Sequence, residues 1–207
     1  MKKNDSTIWQ IMFLLTFCFL FSNSSRAKDP NTTLQNLMTA YNGESNAKVR
    51  YTAFAEKADA EGYGRVASLF RATARAEQSH LEREAAIIKE LGGTPEANIV
   101  TPEVKSTKEN LESAIKGETY ESTEMYPKFL DKASEEKIKA AKTEFEYAKD
   151  AEAVHAKLFK NELENLSLKE PKKDFYVCPV CGNILEKIRI GFCPICGENL
   201  KNFVPVN

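Results

Sequence analysis

Histidine is nearly absent, with two in 207 residues, so any imidazole chemistry falls to His80 or His155. Glycine and proline number nine and eight and cluster outside the middle of the chain. Few helix breakers remain there, which permits long uninterrupted helices. Charge of one sign is lacking too: 29 basic residues meet 30 acidic ones for a net charge of −1. Without a clustered basic face there is no electrostatic footprint for nucleic acid, and no such partner is expected. No apolar run reaches the roughly 20 residues a membrane-spanning helix needs. What is present is ordinary for a soluble helical protein, 42% apolar and 29% charged, with length for one domain plus a small module.

The N-terminal end has the character of a targeting segment. Lys2 and Lys3 form a positive region, Ile8–Phe21 is a nearly continuous apolar stretch, and Ser25-Arg26-Ala27 places small residues where a signal peptidase cuts. That pattern predicts a secretory signal peptide over residues 1–27, cleaved after Ala27, and an exported, periplasmic protein. The alternative is an uncleaved anchor, the one route to a membrane partner. Cys18 follows the bulky Phe17, which argues against a lipoprotein. There is no twin-arginine motif, so export would be unfolded with metals loaded afterwards. Loss of three basic groups and one acidic group leaves the mature chain at −3.

Residues 28–166 read as an all-α four-helix bundle. Apolar residues recur at helical spacing over Asn31–Glu61, Arg65–Leu91, a third segment after Pro102, and Glu135–Leu166. Gly92-Gly93-Thr94-Pro95 ends the second helix. Thr101 is expected to cap the third with Pro102 at its first position, and Pro127 to kink it. Ser134 is expected to cap the fourth. Some eleven residues from Gly92 to Pro102 reach about 36 Å when extended, enough for a crossover along the bundle. Residues 167–174 form a short charged linker, and 175–207 a separate small module.

Each histidine follows a glutamate by three residues on an expected helix: Glu77-x-x-His80 and Glu152-x-x-His155. At that spacing both side chains share one face and can grip one metal or two adjacent ones. The other two helices carry Glu44 and Glu121. One glutamate from each of two helices plus Glu-x-x-His from the other two is the ligand pattern of di-iron carboxylate bundles. Bridging carboxylates hold two cations close and offset their charge, and imidazole suits iron. Without metal, buried glutamates would repel one another. A lone Glu-x-x-His is usually solvated surface; both histidines falling in such pairs favours metal.

Cys178-x-x-Cys181-Gly and Cys193-x-x-Cys196-Gly form two knuckles eleven residues apart. Four thiolates suit one tetrahedral metal, and each glycine permits the turn that follows. Zinc and a single iron both accept this set, and in an exported protein disulfides are the competing reading. The 33 residues from Phe175 onward are too few for an independent core and need such a staple.

Four segments in order, Ala40–Tyr51, Ala76–His80, Lys116–Tyr126 and Ala151–His155, resemble the metal-binding helices of rubrerythrin, and the likeness runs from about Asn31 to the C-terminus. The resemblance implies a ferritin-like bundle with a C-terminal rubredoxin-like domain. Glu44, Glu77, Glu121, Glu152 and His155 would be ligands of two irons, and Glu118 the family's additional glutamate. His80 would exchange with that glutamate as one iron moves, and Tyr51 and Tyr126 would hydrogen-bond ligating carboxylates. The four cysteines would hold a third iron. The function implied is a peroxidase that reduces hydrogen peroxide to water in oxidative-stress defence, with electrons relayed through the four-cysteine iron. A head-to-tail homodimer is implied as well. A ferroxidase and a non-catalytic zinc-bearing bundle are the alternatives. Export leaves the electron donor unidentified, since soluble nicotinamides stay inside the cell.

Overall fold

A computed structural model describes residues 32–207; the expected signal peptide, its cleavage site and Cys18 lie outside the described residues. The first helix, α1 (Thr33–Ala60), is capped by Thr32, whose side chain accepts from the Gln35 backbone. Helix α2 (Gly64–Glu90) returns beside it. The apolar face expected for α2 is buried throughout, from Val66 to Ile88. Its end lies beside the start of α1, because a side chain at Gly93 would strike Leu34 and Ile88.

The third helix does not begin at Thr101. Residues 93–106 are extended, and α3 (Thr107–Tyr120) is capped by Ser106 in a capping box with Glu109. A reciprocal Ser-x-x-Glu cap satisfies two orphan donors where Thr101-Pro102 would satisfy fewer. The extended stretch is gripped by α1. Asn42 Oδ1 accepts from Asn98 N at 2.8 Å, Asn46 Oδ1 accepts from Val100 N at 2.8 Å, and Asn46 Nδ2 donates to Asn98 O at 2.9 Å. Thr107 N then donates to Glu61 Oε2, at the far end of α1. The connection therefore crosses the bundle from end to end, as its length allowed.

The interruption expected at Pro127 takes the form of a π turn just before it, with Pro127 in the first turn of the helix that follows. A π-helical turn, Glu121–Met125, separates α3 from α4 (Tyr126–Glu135). Proline lacks the N–H its preceding turn would use, and the Tyr126 N–H reaches back to Glu121 O instead. The consequence is geometric. Eight α-helical steps of about 100° would leave Tyr126 about 80° away from Glu118. The extra residue taken up by the π turn brings both onto the inner face.

Ser134 is not a cap either; it lies inside α4, and the last helix α5 (Lys139–Glu164) starts later, after Lys137 in the left-handed region at φ 59°. No glycine marks this turn. Ile138 drives it by folding back onto the cluster around Leu37, Phe145 and Ala148, its N–H on Ala133 O. Ala140, which the helical spacing of apolar residues over Glu135–Leu166 would place on the core face, is exposed.

The C-terminal module holds a three-stranded antiparallel sheet in the order β2-β1-β3, with β1 Phe175–Val177, β2 Ile184–Leu185 and β3 Val204–Val206. Its own buried cluster is small, Leu200 and Phe203 around Cys178, Cys181 and Cys193, and the rest of its buried apolar surface is shared with the bundle. Phe175, Val177 and Ile184 belong to the same buried cluster as Phe54, Phe70 and Phe159 of the bundle. Arg65 fastens the connection, donating to Glu162 at 2.7 Å, to Glu170 at 3.0 Å and to Glu186. No helix among the described residues is long and apolar enough to cross a membrane.

Candidate metal centres

The bundle interior collects six of the seven side chains singled out from sequence. Glu44 from α1, Glu77 and His80 from α2, Glu118 from α3, and Glu152 and His155 from α5 are all buried. Their donor atoms form two groups, each with all its atoms within 4.8 Å of one another. One holds Glu77, Glu118, Glu152 and His155, the other Glu44, His80 and Glu152. Glu152 belongs to both, as a bridging carboxylate must. Glu121 joins neither group. It sits half-buried on the π turn, beside a groove lined by Asn42, Asn46 and Arg50. His80 and Glu118, expected to exchange, fall in different groups.

The polar atoms at this centre fit metal and little else. Glu44 Oε2, Glu77 Oε2, Glu118 Oε2, both Glu152 oxygens, both His80 nitrogens and His155 Nδ1 are buried, and none makes an aligned hydrogen bond to the described residues. Leaving so many buried acceptors unmet would cost each about 1–3 kcal/mol. Cations at the two groups would satisfy all of these except His80 Nε2, which faces Gly182. His155 Nδ1 lies 2.5 Å from Glu152 Oε2 and 3.4 Å from Glu118 Oε2, near contacts of the kind co-ligands make. The remaining oxygens are oriented by phenols: Tyr51 donates to Glu118 Oε1 and Tyr126 to Glu44 Oε1.

The electrostatics tell the same story. Burial pushes the Glu44 carboxyl up to about 7, against the Tyr126 hydrogen bond. Glu77 and Glu152 are raised well above the usual range by burial and by neighbouring carboxylates. His155, despite burial, is raised to about 9 by Glu118, whereas burial and the His155 charge bring His80 down to about 3. The metal-free cluster thus stores protons that cations would displace.

Three further buried carboxylates were not anticipated, among them Glu162 on Arg65. Glu84 is fully buried with both oxygens unmet, and Glu144 is buried on Arg83. The signal was available: Glu84 stands four residues after His80, so the face bearing Glu77 and His80 continues one turn further.

The second centre is built from a repeated knuckle. Cys178 N donates to Asn183 O at 2.8 Å and Gly182 N to Cys178 O at 3.1 Å; Cys193 N donates to Glu198 O at 2.6 Å and Gly197 N to Cys193 O at 3.0 Å. Gly182 and Gly197 adopt φ of 72° and 78°, as the tight turns require. The sulphurs of Cys178 and Cys196, and of Cys181 and Cys193, are 3.5 Å apart. That is far beyond the roughly 2.05 Å of a disulfide and close to the about 3.8 Å edge of a thiolate tetrahedron around a metal at about 2.3 Å. All four cysteines are free, so the disulfide reading fails.

The two centres touch. Gly182 O is 3.0 Å from His155 Nε2 and accepts its proton, which leaves Nδ1 for the carboxylate cluster. A Cβ on Gly182 would stand 2.3 Å from His80 Nε2, so the first knuckle packs directly on both histidines. Ser79 Oγ adds a bond to Cys178 O at 3.4 Å.

Comparison with known proteins agrees with this geometry. The rubrerythrin family model matches residues 35–163. Nigerythrin of Nitratidesulfovibrio vulgaris is 40% identical over 166 residues, covering 80% of this chain and 82% of its own. Rubrerythrin-2 of Clostridium acetobutylicum is 36% identical over 174 residues, covering 81% and 92%. The solved structure of nigerythrin in a mixed-valence state superposes with a TM-score of 0.80 at 37% identity, covering 88% of this chain and 90% of that one. A ferritin-like bundle with a carboxylate–histidine di-iron site, joined to a rubredoxin-like four-cysteine site, places the chain in the rubrerythrin family.

Proposed function

We propose that the protein is a peroxidase that reduces hydrogen peroxide to water, with electrons passed from the four-cysteine site to the bundle site. Two ferrous ions held by the bundle carboxylates and histidines would supply the two electrons that, with two protons, turn one peroxide into two waters, and iron held by Cys178, Cys181, Cys193 and Cys196 would supply one-electron exchange. Iron is therefore the expected metal of all three positions, with zinc the competing occupant of the cysteines.

The chain's own residues set the conditions. Glu44, Glu77, Glu118, Glu121, Glu152, His80 and His155 would be the bundle ligands, with Glu121 approaching the Glu44 side from the π turn. Tyr51 Oη and Tyr126 Oη hold protons one hydrogen bond from Glu118 and Glu44. The apolar packing of Phe54, Phe70 and Phe159 around Tyr51 excludes water from that end. His155 keeps its outer N–H on Gly182, next in sequence to Cys181. That hydrogen bond is the observation that carries the reading. A ferroxidase would have no need of a thiolate site seated on a ligand, and neither would a structural zinc module.

The resemblance also implies a head-to-tail homodimer, and the N-terminal sequence implies export. The contact between centres described here is made within one chain.

Stopped-flow absorption of the anaerobically reduced protein against hydrogen peroxide, with metal analysis, tests the reading. About three irons per chain and rapid oxidation of both centres are expected. Zinc in the cysteine site, or peroxide reacting no faster than oxygen, would overturn it.

A further inference from the structure

The electron relay proposed above has its exit at the first knuckle, where Gly182 is pressed between the histidines. The second knuckle has a different setting. A Cβ on Gly197 would meet nothing within 4 Å, and Cys196 is half-exposed. Immediately before Cys193 the chain displays Ile188, Ile190 and Phe192, the last two at 107% and 69% exposure. With Lys201 and Asn199 they line a groove of about 570 Å³.

A hydrophobic surface of this kind beside a redox centre is a contact site, and its rim states the partner's charge. Arg189 and Lys201 line the groove and Lys187 precedes it in sequence; all three are exposed, and none has an ion-pair partner among the described residues. The nearby acids are engaged elsewhere. Glu186 faces Arg65 and Lys173, and Glu198 accepts from Asn199 N and Asn202 Nδ2. The face is therefore basic around an apolar centre, on a mature chain expected to be acidic overall.

We infer that residues 187–192 with Lys201 form the docking surface for an acidic one-electron carrier protein, which delivers electrons to the thiolate site through the second knuckle. Each encounter oxidises the carrier by one electron and reduces ferric iron at the four cysteines to ferrous; two encounters serve one peroxide. The inference rests on the relay reading. Opposite charge would speed the encounter, while a small apolar contact lets the carrier leave quickly.

The test uses the iron-loaded full chain and an acidic [2Fe–2S] ferredoxin as probe, with basic cytochrome c as contrast. Calorimetric titration should show ferredoxin binding that weakens as salt rises, and no comparable binding of cytochrome c. Lys187→Glu/Arg189→Glu/Lys201→Glu and, separately, Ile190→Ser/Phe192→Ser should each weaken ferredoxin binding at least tenfold and slow reduction of the thiolate iron by reduced ferredoxin. The visible thiolate absorption of these variants should match the parent, showing the module intact. After chemical reduction, their oxidation by peroxide should also match the parent. If the parent itself fails that last step, the relay reading falls and not the docking surface. Equal binding of parent and variants, or no binding of the acidic probe, overturns the surface. So does a parent dimer that the variants dissociate in sedimentation, which would make this face a contact between copies. Parent binding to phosphatidylserine vesicles that the variants lose would assign it to a membrane instead.

Discussion

The two cysteine knuckles have the same local chemistry and opposite surroundings. Each has a Cys-x-x-Cys-Gly turn, a glycine at positive φ and the same pair of backbone hydrogen bonds. Among the described residues the glycine of the first knuckle presses on the histidines, whereas a side chain on the glycine of the second would meet nothing within 4 Å. Gly182 needs to be glycine for its backbone angle and because His80 occupies the space a side chain would take; Gly197 needs it for the angle alone. Identical motifs thus carry different roles, and the difference lies in what packs against them.

The largest effect is expected from removing metal, which should separate the bundle centre from the cysteine module. Glu44 has a folded-state value raised from 4.5 to about 7. The folded metal-free protein therefore holds a proton the unfolded chain gives up. That stabilisation is complete below about pH 4.5 and is lost as pH rises through 7, worth about 3 kcal/mol for this one group. Glu77 and Glu152 shift in the same direction, and His155, raised to about 9, loses its contribution between 6.5 and 9. His80, lowered to about 3, opposes this only below 6.5. Thermal melts of chelator-treated protein should fall steadily from pH 5 to 8, and iron-loaded protein should not. Parallel curves would refute the assignment of these side chains to metal.

Next in size is the paired substitution of the glycines. Gly182→Ala and Gly197→Ala should both strain their turns, by about 1–3 kcal/mol. Gly182→Ala alone must also displace His80 and break the bond to His155. Transfer from the thiolate iron to the oxidised bundle site, followed by rapid-mixing absorption, should slow about a hundredfold in Gly182→Ala, roughly 2.7 kcal/mol in barrier. Gly197→Ala should stay within about threefold. Equal effects would mean the contact at Gly182 is not the route.

Arg65→Ala attacks the seating of the first knuckle from a distance. It strands the buried Glu162 and frees Glu170 and Glu186. A cost of about 2–3 kcal/mol is expected, chiefly from Glu162, read as a lowered unfolding midpoint with loss of hydrogen-exchange protection in β1. The smallest effect is expected from Tyr126→Phe. It removes one hydrogen bond to Glu44 while keeping the packing on Phe129 and Phe145, for about 1–2 kcal/mol. Peroxide oxidation of the bundle site should slow several-fold, with the thiolate absorption unchanged.

Much of this molecule was legible in its residues, for identifiable reasons. Glu77-x-x-His80 and Glu152-x-x-His155 lie on strongly periodic helices, so their shared faces follow from 3.6 residues per turn. The cysteine spacing leaves little besides a metal knuckle. The misreadings fell at boundaries. Thr101-Pro102 imitates a helix start, yet Asn42 and Asn46 on a distant helix hold that segment extended. Ser134 imitates a cap, yet burial of Ile138 sets the turn at Lys137. Pro127 signals a break, but its form, a π turn that aligns Glu118 with Tyr126, depends on both side chains having partners inside the bundle. Glu121 shows the limit most clearly. By spacing it is as good a ligand as Glu118, yet it lies outside both donor groups while still close enough to Glu44 and Glu118 for burial and their charges to raise its carboxyl.

The sequence by itself determined the ligand types, the helices that carry them and the two knuckles, because each is encoded within a few adjacent residues. Only the tertiary structure decided which donor atoms gather within reach of one another, that Glu152 belongs to both groups, and that the first knuckle rests on His80 and His155. Those facts depend on helices and a sheet burying a common core, an energy summed over residues far apart in the chain, and no local pattern records that sum.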